Sequence, residues 1–317
     1  MEVEVAMNDK LNLIIILMKQ KMPFKRNHFL KLLLCAALFL PQYVCAQFDW
    51  PYHIKEGIVK TKVPERTAGQ QHVLNLKCEK LPVVRVAFIG LGMRGQLSVE
   101  RWLHQEGIQI VALCDHEQSR ADQANERLRK AGFPPAAVYS GAEGYKEACK
   151  RNDVDLVFIA TDWDHHFPTA LNNGKHVAIE VPSAMNMREI WALINLSETT
   201  RKHCMMLENC CYDFFEMNTL SMAQKGLFGE IVYAMGAYRH DLTPYWDEYW
   251  KGGAPKLGWR LDYNMKYRGD VYPTHGLGPV AQLLNLHRGD RMKTLIAMDT
   301  KSFNGRKLAS KGLGQDV

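Results

Sequence analysis

No hydrophobic run in the 317-residue sequence is long enough to cross a bilayer comfortably. The best candidate, residues 29–40, falls well short of the roughly 20 apolar residues that a transmembrane helix needs. Internal repeats and low-complexity tracts are also missing, which argues against solenoid and disordered classes. The net charge is only +6, and half of it lies within residues 1–46, so nothing favours nucleic acid as a partner.

The cysteines form no framework of regular spacing. Two of the eight, Cys35 and Cys45, fall in the N-terminal segment, and most of the others are interpreted as buried thiols. His165 and His166 are adjacent, but neighbouring histidines rarely face one ion, and no cysteine–carboxylate set joins them. The sequence therefore predicts neither a disulfide framework nor a metal site.

Residues 1–46 have the pattern of an export signal. Lys25 and Arg26 precede a short apolar run, and Val44 and Ala46 stand at positions −3 and −1 of a cleavage site. We therefore expect an exported protein, periplasmic or secreted, with no stable membrane anchor. A membrane anchor or a buried helix is the alternative interpretation of the same run.

The start of this segment leaves two questions open. Residues 1–21 are an unusual preface to a signal peptide, so Met22 is a candidate for the true start. The stretch "KRNHFLK" resembles a twin-arginine signal, but Lys25 replaces the first arginine and one extra residue precedes Phe29. Both the general secretory route and the twin-arginine route stay open.

A dinucleotide-binding pattern begins at a nearly continuous apolar strand, residues 83–90. A G-x-G-x-x-G motif, an amphipathic helix and a second strand at residues 108–115 follow. The motif's glycines are Gly90, Gly92 and Gly95. They allow a tight turn, close approach of the backbone to a pyrophosphate, and packing of the helix on the strand. Asp115 ends the second strand and would accept hydrogen bonds from ribose hydroxyls, which favours NAD over NADP.

Strands and helices continue to alternate beyond Asp115. We predict strands at residues 154–161, 176–182 and 204–209 and helices at residues 164–171 and 187–196. This order predicts an α/β fold with a Rossmann doubly wound parallel sheet. Ligands bind at the carboxyl ends of such strands, which points to Asp115, residues 161–166, Glu180, Val181 and Asn209.

The pattern changes after Asn209. Residues 229–241 alternate as a strand with one exposed face would, and residues 278–286 predict a helix. We expect a second, α+β substrate domain here. The predicted organisation is a signal peptide at 1–46, an arm or linker at 47–80, an NAD-binding domain at 81–211 and a substrate domain at 212–317.

The motifs "GLGMRG", "CD", "TDWDHH", "EVPSA" and "EN" carry a resemblance to a known family. From about Val83 to its end, the chain resembles glycoside hydrolase family 109, the NAD-dependent α-N-acetylgalactosaminidases. That family lies within the glucose–fructose oxidoreductase and inositol dehydrogenase group. The resemblance implies bound NAD and a glycan or glycoside substrate. It implies cofactor contacts at Gly90, Gly92, Met93, Arg94, Gly95, Asp115, Trp163, Asp164, His165, His166, Glu180, Val181 and Asn209.

One position separates the chain from ordinary dehydrogenases of the wider group. Those enzymes usually have Glu-Lys-Pro where this chain has Glu180, Val181 and Pro182, and the lysine relays the proton of the alcohol being oxidised. A valine cannot accept that proton. Another base must act, or the chemistry differs.

The substrate half holds the residues that the resemblance assigns to sugar and to catalysis. Tyr272 and His275 are three residues apart at a predicted helix start, so both can face one site. The resemblance implies that they are catalytic, without deciding which is the base and which the acid. It implies substrate contacts at Tyr238, Arg260, Tyr272, Pro273, Thr274 and His275. The wider group has an aspartate four residues before the equivalent histidine; here Val271 takes that place and Asp270 precedes it.

The implied activity is hydrolysis through oxidation, elimination, addition and reduction, with NAD neither consumed nor released. An exported protein can use NAD in this way, because a cofactor that stays bound does not have to be replaced from the cytoplasm. Members of the family are longer than this chain, so we expect a C-terminally truncated member. A homodimer is a further expectation. Two alternatives remain: an NAD-dependent sugar or inositol dehydrogenase, and an inactive sugar-binding homologue.

Overall fold

The computed structural model describes residues 50–56, 58–162, 167–241, 263, 270, 272–298, 300, 306–307 and 310–311. The predicted signal peptide lies outside the described residues. So do five of the predicted site residues: Trp163, Asp164, His165, His166 and Arg260.

The core of the molecule is a six-stranded sheet in which every pair of neighbours is parallel. An antiparallel hairpin of β1 (Tyr52–Lys55) and β2 (Ile58–Thr61) precedes it. The sheet order is β5-β4-β3-β6-β7-β8. The six strands are β3 (Val84–Ile89), β4 (Ile108–Asp115), β5 (Ala137–Ser140), β6 (Leu156–Ile159), β7 (His176–Ile179) and β8 (Cys204–Met206).

Helices cover both faces of this sheet, as the alternation predicts. They are α1 (Met93–Trp102), α2 (Gln118–Lys130), α3 (Gly144–Lys150), α4 (Phe167–Asn172) and α5 (Met187–Thr200). Along β3, Ala87 and Ile89 pack towards α3 and α4, while Val86 and Phe88 pack towards α1 and α2. The predicted α/β fold with a doubly wound parallel sheet is therefore confirmed.

Aromatic packing anchors the face that α1 and α2 cover. The ring of Phe88 is fully buried, stacks on Phe158 at 4.7 Å and meets the edge of Trp102 at 5.4 Å. Truncating such a ring costs about 3–5 kcal/mol, because transfer free energy is lost and a cavity remains. This cluster holds β3 and β6 in register beside the nucleotide-binding turn.

The predicted arm crosses the outside of α5. Residues 62–81 contain no helix or strand, and their hold on the domain comes from polar side chains. Arg66 donates two hydrogen bonds of 2.8 Å to the carboxylate of Glu198, and Gln70 donates to Glu198 and Asn195. Because Glu198 is only 3% exposed, the arm covers and neutralises a buried charge.

The region after β8 differs from the prediction. A 3₁₀ turn (Asn209–Tyr212) leads into α6 (Phe214–Gln224), and α7 (Pro273–Leu283) begins five residues before the predicted helix. Proline suits the first position of α7, where its missing N–H has no helical partner. None of the described helices is both long and apolar enough to span a membrane.

The strand predicted at residues 229–241 is wrong. The described residues of this segment are not assigned to any strand, and Val232 and Tyr233 are 89% and 76% exposed. A strand needs a hydrogen-bonded neighbour, and none of the described residues forms a ladder with this segment. Alternation alone therefore misled the prediction. The domain boundaries and the possible homodimer stay predictions.

Candidate active site

The carboxyl edge of the parallel sheet gathers most of the predicted cofactor residues. Gly90 follows β3, Asp115 ends β4, Glu180 follows β7, and Glu208 lies two residues after β8. Since the strand order is continuous from β4 to β8, these positions form one row along one edge. Ligands of open α/β sheets bind at this edge.

The turn between β3 and α1 is shaped for a phosphate. Gly90 has a φ of +88°, and a Cβ at Gly95 would lie 2.0 Å from the carbonyl oxygen of Gly90, so only glycine fits there. Gly92 is the N-cap of α1 and no side chain caps the helix. A Cβ at Gly92 would meet only Arg120, at 3.9 Å. This open helix start, with no acid in its first turn, fits the pyrophosphate of a dinucleotide.

Asp115 has a second role that its sequence position does not reveal. Its side chain is 6% exposed, Oδ2 accepts the Leu91 amide at 2.6 Å, and Oδ1 accepts the Glu117 amide at 2.9 Å. The predicted ribose acceptor therefore also fixes the glycine turn. Arg120 lies 3.7 Å from Oδ1, on the same side as Gly92.

The remaining predicted cofactor residues differ in their surroundings. Arg94 donates to Glu180 at 2.8 Å, a pairing that the sequence did not predict. Val181 is half-buried and joins Pro182 through a cis bond, whereas Met93 is 62% exposed. Asn209 is exposed as well, at the start of the 3₁₀ turn.

The predicted substrate residues come together around three rings. The Tyr238 ring centroid lies 4.7 Å from that of His275 and 5.6 Å from that of Tyr272, and the Tyr272 and His275 rings stack at 5.4 Å. Tyr272 is buried, Thr274 is half-buried and Pro273 is exposed at the start of α7. The Tyr238 hydroxyl also lies 2.9 Å from Nδ1 of His240. The predicted proximity of Tyr272 and His275 is thus observed.

A buried carboxylate that sequence reasoning missed completes this cluster. Oε1 of Glu208 lies 2.5 Å from Nδ1 of His275 and accepts the Cys210 amide at 3.0 Å. Burial raises the pKa of Glu208, but the Thr274 hydroxyl, the His275 ring and the Cys210 amide outweigh it and hold the pKa below its ordinary value. The rule that selected Asn209, the carboxyl end of β8, could have selected the acid one residue earlier.

Two family descriptions match the chain in succession. An oxidoreductase family with an NAD-binding Rossmann fold matches residues 84–208, and "Glycosyl hydrolase 109, C-terminal domain" matches residues 212–316. The chain belongs to glycosyl hydrolase family 109. This confirms the family resemblance and an NAD-binding Rossmann domain.

Named relatives of the family 109 chain are close in sequence. Glycosyl hydrolase family 109 proteins 5 and 4 of Phocaeicola vulgatus are each 61% identical to it, over 87% and 85% of this chain and 55% and 52% of their own. Protein 1 of Bacteroides thetaiotaomicron is 53% identical over 90% of this chain and 61% of its own. The chain thus spans little more than half the length of these relatives.

Similarity to solved structures is weaker. A myo-inositol 2-dehydrogenase from Lactobacillus plantarum is 21% identical, with a TM-score of 0.42 over 48% of this chain and 44% of that one.

Glu208, Cys210 and His275 also form the one group of metal-ligand type in the described part of this family 109 chain. One ligand atom from each lies within 4.8 Å of the others. Nδ1 of His275 lies 2.5 Å from Oε1 of Glu208 and 3.5 Å from Sγ of Cys210. The 2.5 Å separation of Nδ1 and Oε1 is that of a hydrogen bond, because two atoms that bind one Zn²⁺ are further apart. The absence of a metal site stays a prediction.

Proposed function

We propose that this family 109 chain hydrolyses terminal α-linked N-acetylgalactosamine from a glycan or glycoside, with NAD as a resident cofactor. One observation carries the proposal. His275 comes from the region after the Rossmann domain, and its contact with Glu208 brings it to the carboxyl edge that holds the glycine turn. A proton-accepting ring therefore lies at the sheet edge where the dinucleotide binds.

The residues that would hold the cofactor are those of the glycine turn, with Asp115 on the ribose side and the Arg94–Glu180 pair beside the first turn of α1. Bound NAD supplies a temporary oxidation at C3 of the sugar, which acidifies the neighbouring C2–H and is reversed before the sugar leaves.

His275 acts as the base in this proposal. It takes the C2 proton while the bond between C1 and the aglycone oxygen breaks, and water then adds across the C1–C2 double bond. With Nδ1 bound to Glu208, the other ring nitrogen, Nε2, is the one that handles the proton. Tyr272 stacks on the ring and supplies a hydroxyl that protonates the departing oxygen.

The position next to Glu180 differs from that of an ordinary dehydrogenase of the wider group. Val181 is half-buried and apolar, so the proton that the C3 hydroxyl loses during the temporary oxidation must pass to water or to another base of the site. Tyr238 contributes ring surface for the sugar, together with Pro273 and Arg260, whereas the predicted contact at Thr274 must come from its backbone, because its hydroxyl oxygen is buried. Export to the periplasm or medium suits this cycle, because a cofactor that is never released needs no cytoplasmic supply.

A glycoside assay with and without NAD tests the proposal. The 317-residue chain is incubated with p-nitrophenyl α-N-acetylgalactosaminide, with the α-galactoside as the matched substrate that has no acetamido group. We expect nitrophenol release that is lost when bound NAD is removed and restored when NAD is added back, with no net change in absorbance at 340 nm. Steady NADH formation from the free sugar would instead support a dehydrogenase, and hydrolysis that persists after complete NAD removal would reject the mechanism.

A further inference from the structure

We propose that Glu208 is the positioning residue for His275: it fixes the ring's orientation and tautomer so that Nε2 faces the substrate as a base. The inference rests on the proposed function. It gives a role to Glu208, which stands in the "EN" motif but to which the resemblance assigned no contact.

The geometry of the pair is that of a directional hydrogen bond within the protein. Glu208 is 3% exposed and the His275 side chain is 11% exposed. Their 2.5 Å contact joins Oε1 to Nδ1. The Cys210 amide donates to the same carboxylate oxygen, which fixes the carboxylate relative to the 3₁₀ turn.

An ionised carboxylate decides which ring nitrogen carries the proton. A carboxylate can only accept, so the neutral imidazole must keep its proton on Nδ1 in order to donate to Glu208. Nε2 then keeps its lone pair and can accept a proton. The lowered pKa of Glu208 keeps the carboxylate ionised at neutral pH. The Tyr272 ring stacks on His275 and the Tyr238 ring packs against it at a tilt of 47°, and both restrict the remaining rotation of the imidazole.

The acidic residue nearest in sequence does not take this role. Asp270 accepts the amide N–H of Tyr272 at 2.9 Å, so its carboxylate binds the backbone just before α7, while Glu208 binds the ring. The partner of His275 therefore comes from the end of β8, 67 residues away in sequence. This links the orientation of the base directly to the sheet edge that holds the cofactor.

A glycine allows the close approach that the pair requires. Gly278 is three residues after His275 on α7, and a Cβ there would lie 2.8 Å from Sγ of Cys211 and 3.0 Å from Cγ of Glu208. A side chain at 278 would push α7 away from Glu208 and the 3₁₀ turn. The small residue and the histidine thus face Glu208 from the same side of the helix.

The direct test is the tautomer of His275. The 317-residue chain is prepared with ¹⁵N-labelled histidine, and the His275 signals are assigned by their loss in His275→Asn. We expect the Nδ1–H form in the wild-type chain and a mixture or the Nε2–H form in Glu208→Gln. Glu208→Asp should restore part of the Nδ1–H form, because it keeps the charge.

Glu198→Gln is the matched control, since Glu198 is also 3% exposed but is paired with Arg66. It should leave the His275 signals unchanged. An unchanged tautomer in Glu208→Gln, with the fold retained by circular dichroism, would overturn the inference. So would a metal found bound by the purified chain at these residues.

Kinetics separate this inference from the proposed function. In Glu208→Gln we expect kcat to fall by about 10²-fold or more, while KM and the Kd of NAD change little. If His275→Asn keeps full activity, the proposed base is wrong. If His275→Asn is inactive but Glu208→Gln retains wild-type kcat, the positioning role alone is wrong.

Discussion

Nε of Arg94 lies 2.8 Å from Oε1 of Glu180, which joins the first turn of α1 to the end of β7. Both residues are predicted to contact the cofactor. The Glu180 side chain is 14% exposed and that of Arg94 is 38% exposed, so the acid is the more deeply placed partner. The guanidinium therefore neutralises a carboxylate close to the turn that receives the pyrophosphate.

We expect Arg94→Gln to weaken NAD binding by about 10-fold, equivalent to about 1.4 kcal/mol. The substitution leaves the Glu180 carboxylate without its cation near a negatively charged ligand. The double variant Arg94→Gln with Glu180→Gln should recover most of the loss, because no unpaired carboxylate remains. Calorimetric titration with NAD measures both. Arg129→Gln, which removes a surface pair with Glu126, is the control, and an additive double variant would contradict the coupling.

The second and third glycines of the cofactor motif, Gly92 and Gly95, should have different effects when replaced by alanine. In Gly95→Ala the new Cβ meets the Gly90 carbonyl oxygen at 2.0 Å, so we expect a loss of folding stability of about 1–3 kcal/mol or more. In Gly92→Ala the Cβ meets no protein atom closer than 3.9 Å. Stability should hold, while NAD affinity falls because the methyl group occupies the space of the pyrophosphate.

Chemical denaturation without NAD, followed by NAD titration, distinguishes these two effects. An equal loss of stability in both variants would contradict this, because it would show that a methyl group at Gly92 disturbs the packing of the protein itself.

The cofactor half was predictable because its signals are local. A buried strand, three glycines, a helix and a terminal acid all lie within residues 83–115, and each element constrains its neighbours in sequence. β5 was missed because its four residues include none that is fully buried, so no apolar run marks it. The strand predicted at residues 229–241 was wrong because its existence depends on a distant partner strand and not on its own alternation.

In the candidate site, too, local features were predictable from the sequence and contacts between distant residues were not. Tyr272 and His275 share a helix start, and their spacing in the sequence was enough to place them together. The Glu208–His275 contact joins residues 67 positions apart, and it is created by the packing of α7 against the 3₁₀ turn that follows β8. Val271 marked the place of a missing acidic partner, and the rule that selected Asn209 could have drawn attention to Glu208, but only the packing shows that the Glu208 carboxylate contacts His275.

The arm should make stability depend on pH through Glu198. The hydrogen bonds from Arg66 hold the pKa of Glu198 below its ordinary value of 4.5; burial opposes this shift and Gln70 supports it. A carboxylate whose pKa is lower in the folded state stabilises the fold above pH 4.5 and loses that effect as the pH falls through the folded value. Glu198→Gln should therefore reduce the free energy of unfolding at neutral pH and have progressively less effect in acid.

Urea unfolding at a series of pH values from about 7 to about 3 measures this dependence. Glu126→Gln is the control, because the Glu126–Arg129 pair is exposed at the surface and such pairs contribute little. A constant difference between Glu198→Gln and wild type at all pH values would mean that the arm's contact is not electrostatic.

The six described cysteines should differ sharply in their reactivity, since Cys78 is exposed, Cys210 is half-buried and the others are buried or half-buried. Burial, followed by the charges of Glu208 and Asp213, raises the pKa of Cys210 to about 11. At pH 8 only about one Cys210 in a thousand is then a thiolate, the form that alkylating reagents attack.

We expect iodoacetamide to label Cys78 first and Cys210 far more slowly, with the rate measured for each peptide by mass spectrometry. Glu208→Gln should accelerate labelling of Cys210 several-fold and leave Cys78 unchanged, because the negative charge that it removes acts on Cys210 and its neighbour Cys211. Labelling of Cys210 as fast as that of Cys78 in the wild-type chain would show that the carboxylate does not face this thiol in solution.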